Sequence, residues 1–439
     1  MNWLNDKFLT NKKGSSIVLL AMVFVAMMLA ITASIAISRA LVVKSECEAF
    51  GHLWTKSVLS EYDVHLLDEY GIMAYFGNDG EVQKKIDSYL YYSASGKLDA
   101  SIGKSNAELM GYELGNPENF KTALRKGLMN EAGEIVLKDA KRSKRTSSNS
   151  DNDYGSRTIN NNVVLDTLPS HGINNTVDID SLIYKLKCGI TFKDLYDTTI
   201  YSATEVMLIE NKLGNHVTKG SSKDGYFQNE WEYILSGKSD DKANFNACKN
   251  KIFLIRNALN LAYLYKDPEK HAVIVAIAET LAPGVAGVLT EAIIAEAWAA
   301  LESEKDIETL LDNGRVPLMK TAASWQTDIS AVLGSSKVSG QLSEEGVKLL
   351  NENRGSIEGM SGSKAGNGSK LEGQSYDDYV IAMIMMLDNN VRILRLMDVI
   401  QINMKYWYYR DFNMMEYFVG VRFSIKANGK NYDFEDSYK

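Results

Sequence analysis

"KKGSSIVLLAMVFVAMMLAITASIAISRALVVKSE", residues 12–46, is the stretch whose reading decides the fold of the N-terminal part. Two lysines and a glycine open it, and 24 residues from Ser15 to Ser38 then pass without a charge before Arg39. Wound as an α-helix, that run rises about 36 Å, enough to cross a hydrocarbon core of about 30 Å. A cleaved secretory signal has a shorter apolar stretch, about 7–15 residues, followed by a small-residue cleavage site. Length and absence of charge therefore predict a retained transmembrane helix over 15–38. Lys12 and Lys13 before it, with Glu46 and Glu48 after it, favour a cell-membrane protein that crosses once. Its N-terminus would lie in the cytoplasm and its bulk outside.

The helical signal continues past the apolar run. From Val43, apolar or aromatic residues recur at Cys47, Phe50, Trp54, Val58, Tyr62, Leu66 and Tyr70. Steps of three and four trace one face of a helix. Lys44, Glu48, Lys56 and Glu61 fall off that stripe, and no proline interrupts 15–70. The spacing predicts an amphipathic continuation over 39–70, ending under a folded body at 71–439.

A basic leader at 1–14, a glycine, an apolar half-helix and a covered second half resemble the layout of pilin-like proteins. "KKG/SSIVLL" is similar to a class III prepilin processing site, which implies cleavage between Gly14 and Ser15. Pilins carry Glu five residues after the cut, and Leu19 stands there.

The net charge is −8, and Lys7, Lys12 and Lys13 against Asp6 leave the first 14 residues at +2 and the rest at −10. An acidic body excludes nucleic acid as the expected partner, since phosphate binding needs a concentrated positive field. Cys47, Cys188 and Cys248 stand far apart with no CxxC pair, so neither a zinc finger nor a disulfide scaffold is expected. One bridge, Cys188 to Cys248, stays open against three free thiols.

Farther along, "YGIMAYFGNDG" (70–80) reads as strand and turn, and Glu81 to about Ser95 as a helix. Residues 182–213 mix strand-like and helical stretches. "YFQNEWEYILSG" (226–237) reads as a half-buried strand or hairpin. Residues 240–265 form an amphipathic helix with Phe253, Ile255, Leu259 and Leu261 among its buried candidates. In "DPEK" (267–270), Asp267 can cap and Pro268 fits the first turn of another helix. Residues 272–300 are nearly apolar, but Glu279, Glu291 and Glu296 interrupt them and Pro283-Gly284 splits them. Carboxylates at bilayer depth cost several kcal/mol, so two helices packed in a protein core are expected.

The run 375–406 predicts one long helix with Val380, Ile384, Leu387, Val391, Leu394 and Met397 on one face, started by a capping box of Ser375 with Asp378. Residues 418–434 alternate as a strand with a glycine turn. Segments 141–162, 334–346 and 355–375 are polar or Gly/Ser-rich and read as flexible insertions. The fold class is thus α+β and helix-dominated: a long transmembrane-plus-amphipathic helix carrying an extracytoplasmic head with short strands.

Catalytic patterns are absent. Glu61, His65 and Glu69 fall at i, i+4, i+8, a spacing that can hold a metal, but no second element completes the shell. "DNDYG" (151–155) lacks the spacing and closing Glu of a calcium loop, and "GNGSK" (366–370) has phosphate-loop ingredients in the wrong order. No metal, cofactor or enzymatic activity is expected.

Five stretches carry a wider resemblance: "KKGSSIVLLAM", "SVLSEYDVHLLDEYGI", "EWEYILSGKSDDKANFNACKNKIFLIRNALNLAYLYKDPEK", "GRVPLMKTAASWQ" and "SYDDYVIAMIMMLDNNVRILRLMDVIQINM". They resemble an uncharacterised family of Gram-positive, largely clostridial bacteria, found beside genes for the tight-adherence (Tad) pilus and related secretion machines. The resemblance implies a pseudopilin-like or accessory component of a Tad-like pilus or secretion system, with the bilayer and the pilus or secretion proteins as partners. The second reading is a tethered extracellular binding module, an adhesin or envelope-polymer binder that needs no pilus.

Overall fold

The computed structural model describes residues 12–94, 103–135, 157–159, 167–196, 200–220, 223–333 and 373–438, with Lys348 and Glu352. In chain order the elements are α1 (Lys12–Leu59), α2 (Val64–Tyr70), β1 (Tyr75–Phe76), α3 (Asp79–Ala94), β2 (Asn106–Glu108) and α4 (Pro117–Ile135). Then come α5 (Ile179–Lys187), α6 (Phe192–Tyr196), α7 (Ile200–Lys212), α8 (Glu230–Ser236) and α9 (Asp241–Lys266). They are followed by α10 (Pro268–Leu281), α11 (Val285–Leu311), α12 (Ile329–Leu333), α13 (Tyr376–Met385) and α14 (Asn389–Trp407). Strands β3 (Tyr417–Phe418), β4 (Gly420–Ala427) and β5 (Lys430–Ser437) come last. Helices dominate and the strands are short, as the sequence predicts.

The stretch expected to form one head divides into two compact units interleaved along the chain. The first comprises Met1–Asp63, Met73–Leu114 and Met415–Lys439. Its antiparallel sheet has the order β2–β4–β5, beside a two-stranded pair of β1 and β3. The β4–β5 hairpin turns on Asn428 and Gly429, both at positive φ, in the two-residue form that matches strand twist. Val421, Phe423, Ile425 and Ala427 alternate onto one face of β4, where they bury the far half of α1 together with α3. The predicted stripe is the buried one: Val43, Cys47, Trp54 and Val58 lie in this core, with Phe50 half-buried against it.

The helix itself stops sooner than its pattern. α1 ends at Leu59, four residues turn, and α2 starts at Val64. The Asp63 amide donates to the Ala74 carbonyl at 2.8 Å, outside any helical ladder. Tyr62 is half-buried while Leu66 and Tyr70 are buried, so the burial period survives a break in the backbone.

The second unit comprises Val64–Ile72 and Gly115–Met414. Its centre is α14, buried on nearly every face from Val391 to Met404. α13 and α14, expected as one helix, are separated at Met386–Asp388, where the Asp388 carboxylate accepts from the Asn390 and Val391 amides and starts a new helix. The capping box at Ser375 and Asp378 forms with both of its hydrogen bonds. Asp267 caps α10 with Pro268 in the first turn, as expected.

Residues 226–237 hold a helix, not a strand: α8 buries Glu230 through Leu235 without alternation. It ends on Gly237 in the left-handed region. The described parts of 182–213 are helical apart from the turn at 188–191 and Leu213, and none of them is a strand. In α9, Ile255 and Leu259 are buried as expected, whereas Phe253 and Leu261 are half-buried. Residues 272–300 form α10 and α11, split at Pro283–Gly284, with Glu279 and Glu296 exposed.

Most of the predicted insertions at 141–162, 334–346 and 355–375 lie outside the described residues. The described edges are tied down: Thr158 bridges Asp240, and Gln374 bridges Val316.

Gly51 admits the helix to the sheet. A Cβ there would fall 2.2 Å from the Phe434 ring. Gly51→Ala is expected to cost about 1–3 kcal/mol by overpacking, and Phe434→Leu in the same chain to recover part of it. Thermal unfolding of both variants checks this; an unchanged Gly51→Ala midpoint would contradict the packing.

Candidate functional site

Two features stand out beyond ordinary packing. The first is the near half of α1. Residues 16–42 are all exposed, on every side of the helix, before Val43 becomes the first buried position. Ile17, Leu20, Phe24, Met28, Leu29 and Ile35 are each at least half exposed. Among the described residues, α1 is the one helix long and apolar enough to cross a membrane. Such a helix serves as a membrane anchor or as a signal sequence. Thr32 and Ser34 return their hydroxyls to carbonyls one turn back, so their polar groups add no demand for water. Gly14 and Ser15 lie in the first turn of α1. Residues 1–11 of the basic leader lie outside the described residues.

The second feature is a set of buried charges in the second unit that periodicity did not announce. On α11, Glu302 and Asp306 sit one turn apart and both are fully buried. Arg256 of α9 grips Asp306 Oδ2 through Nε at 2.9 Å and Nη2 at 2.8 Å. It also donates to the carbonyls of Pro317 and Leu318 at 3.0 and 2.9 Å. Lys320 Nζ reaches Glu302 at 2.5 Å and Asp306 at 2.6 Å. Glu302 accepts the Thr327 amide at 2.9 Å and hydroxyl at 2.8 Å. Two cations and two anions thus cancel, and the remaining lone pairs meet donors. Burial alone would raise the Asp306 carboxyl, but Arg256 and Lys320 hold it below its ordinary value.

A parallel network surrounds α14. Arg395 donates to the terminal carbonyls of α8, Ile234 at 3.1 Å and Leu235 at 2.9 Å. Asp398 accepts the Ser170 amide at 3.0 Å and the Tyr233 hydroxyl at 2.9 Å. Burial pushes Asp398 up to about 6. Glu232 accepts from Tyr376 at 2.6 Å and from the His216 amide at 3.0 Å, while its Oε2 has no partner. Burial pushes it up to about 7. These groups knit helices together: their partners are backbone carbonyls, amides and hydroxyls of the same unit.

The candidate metal ligands are not brought together. Glu61 lies past the end of α1 and pairs with Lys85. His65 stacks on Tyr408 at 3.8 Å, and Glu69 takes the Tyr408 hydroxyl and Lys223. Among the described residues, no group of three or more His, Cys, Asp and Glu is placed to hold a metal. Cys188 is exposed and Cys248 buried, each a free thiol. Burial, then Glu232, pushes the Cys248 thiol up, which suppresses the reactive thiolate. "DNDYG" and "GNGSK" lie outside the described residues.

Two pH effects of opposite sign follow. Glu232 and Asp398 are raised above their unfolded values, so their contribution is full at low pH and is lost as pH rises through about 7 for Glu232 and about 6 for Asp398. Asp306 is depressed, so its contribution is present above the ordinary carboxylate range and is lost as pH falls through its folded value. Glu232→Gln is expected to flatten the fall in unfolding free energy between pH 5 and pH 8. Asp306→Ala is expected to cost about 3–5 kcal/mol at neutral pH by leaving Arg256 buried without a carboxylate partner. Denaturant titrations across that range check both; a Glu232→Gln curve parallel to the parent's would contradict the first.

No curated protein and no solved structure matches the chain. One family does, over residues 174–429, a span that takes in α5 to α14, β3, β4 and the turn after it but leaves β5 and the apolar helix outside it. The chain belongs to the family of unknown function DUF5702.

Proposed function

We propose that this chain is a membrane-anchored surface protein without enzymatic activity of its own, a minor pseudopilin-like or accessory component of a Tad-like pilus or secretion system. One observation carries the anchoring. Among the described residues, every position of α1 from 16 to 42 is exposed, whereas the far half buries a stripe of the same helix under a sheet. A helix that is apolar all round and bare belongs in lipid; one that is striped belongs against protein. The single span leaves the N-terminus on the cytoplasmic side, given the lysines at positions 7, 12 and 13.

The pilus assignment is supported by the order of parts: basic leader, Gly14-Ser15, apolar half-helix, covered half-helix and head. It draws as well on the resemblance of the five quoted stretches to proteins found beside Tad loci. Buried charges cancelled within the second unit suit a scaffold better than a reaction site. One residue favours the second reading, a plain tether for an adhesin or envelope-polymer binder. Leu19 occupies the place, five residues after the cut, where pilins carry Glu.

N-terminal sequencing of the membrane-bound protein, made with and without a prepilin peptidase, tests the assignment. A mature chain beginning at Ser15 only when the peptidase is present is the expected result, with Gly14→Val blocking it. A membrane-bound chain that keeps Met1 in both cases would leave the tether and end the pilus reading.

A further inference from the structure

We propose that the tip of the β4–β5 hairpin and the turn of α1 beside it form a cationic collar that binds anionic phospholipid headgroups in the leaflet facing the body. The inference rests on α1 being a membrane anchor and adds the lipid class that the first unit recognises.

The argument begins with levels along the helix. β5 runs beside α1 in the same direction. Lys430, Asn431 and Tyr432 line a groove of about 440 Å³ with Ile37, Ala40, Leu41 and Lys44. Phe434 lies against Gly51 and His52, and the Tyr438 hydroxyl donates to the Leu59 carbonyl. Eight residues of strand and eighteen of helix both rise roughly 27 Å, so the pairing keeps step. The hairpin tip therefore stands level with residues 40–41, just past the end of the uncharged run. A headgroup layer about 5–8 Å thick corresponds to roughly five residues of helix, which is Arg39 to Lys44.

Among the described residues, the side-chain charges at that level are positive. Arg39, Lys44, Lys104, Lys426 and Lys430 are all exposed. Lys104 joins them because the neighbouring Gly103 amide donates to the Lys426 carbonyl at 2.7 Å. Residues 37–45, 103–107 and 425–432 contain no Asp or Glu. Carboxylates flank the band on the side away from the apolar run: Glu48 pairs with Lys44 at 3.7 Å, Asp87 holds the Ser105 hydroxyl at 2.6 Å, and Glu46 and Asp433 begin the acidic region beyond. Tyr432, half-buried in the groove, is a side chain favoured at the lipid–water boundary.

The whole chain carries −8, so an anionic membrane would repel the body. A basic band at headgroup level reverses that locally, within a screening length of about 8–10 Å. Each basic residue near an anionic surface adds roughly a fivefold preference for it.

The test uses the full chain in nanodiscs of phosphatidylcholine alone and of phosphatidylcholine with a quarter phosphatidylglycerol. Acylation rates of individual lysines are read by mass spectrometry, with exposed Lys242 as the internal control. Lys104, Lys426 and Lys430 are expected to react about fivefold more slowly in the anionic discs, with Lys242 unchanged and the difference erased by 1 M salt. In Lys426→Glu/Lys430→Glu, Lys104 should lose its slowing. Equal rates in the two discs, with the chain embedded in both, would overturn the collar and leave the anchor standing. Failure of the chain to enter either disc would overturn both.

Discussion

Water's exclusion of apolar surface is the constraint on which this structure depends. Fourteen large apolar side chains from Ile17 to Ile37 stand at least half exposed on α1. Burying each such side chain is worth about 1.5–3 kcal/mol. Their sum reaches some tens of kcal/mol, against a net stability of about 5–15 kcal/mol for a typical domain. No protein could leave that surface in water and stay dispersed. A bilayer, as proposed above, matches both its length and its uniformity.

The same helix then changes character without changing backbone. From Val43 its apolar residues narrow to a stripe, and a sheet whose strands come from both ends of the described chain closes over that stripe. The first unit is in this sense a clasp around the far half of α1, with Gly51 permitting the closest approach. The second unit solves a different problem. Its long helices carry charges inward, where they meet an opposite charge, a helix end, or hydroxyls and amides of neighbouring segments. Arg395 at the carbonyl end of α8, and the Arg256–Asp306–Lys320–Glu302 square, fix which helix faces which. An apolar interior would hold the helices as firmly but with less to distinguish one register from another.

Local rules were legible in the sequence because their causes are local. The three-four spacing from Val43, the box at Ser375 and Asp378, Asp267 before Pro268, and the Asn428-Gly429 turn each depend on residues within a few positions. The break after Leu59 was not legible, since it depends on where Ala74 offers its carbonyl. Nor was α8, whose six consecutive buried residues erase the alternation that separates strand from helix. Buried ion pairs escaped for the same reason: Arg256 and Asp306 stand 50 positions apart, Arg392 and Glu205 187 apart. One clue was present: Arg392, Arg395 and Asp398, with Gln401 and Asn403, are spaced through the otherwise apolar run 391–404. The interleaving of two units through one chain has no local signature at all.

Solvent reach along α1 tests the central claim most directly. Single cysteines at Leu20, Phe24, Met28, Ile31 and Ser45, in a chain with Cys47, Cys188 and Cys248 replaced, would be exposed to a membrane-impermeant maleimide in intact vesicles. The account predicts that Ser45→Cys reacts from the side on which the body lies, while the four inner positions react only after detergent. Labelling of those four at the rate of Ser45→Cys, in vesicles that remain sealed, would contradict it.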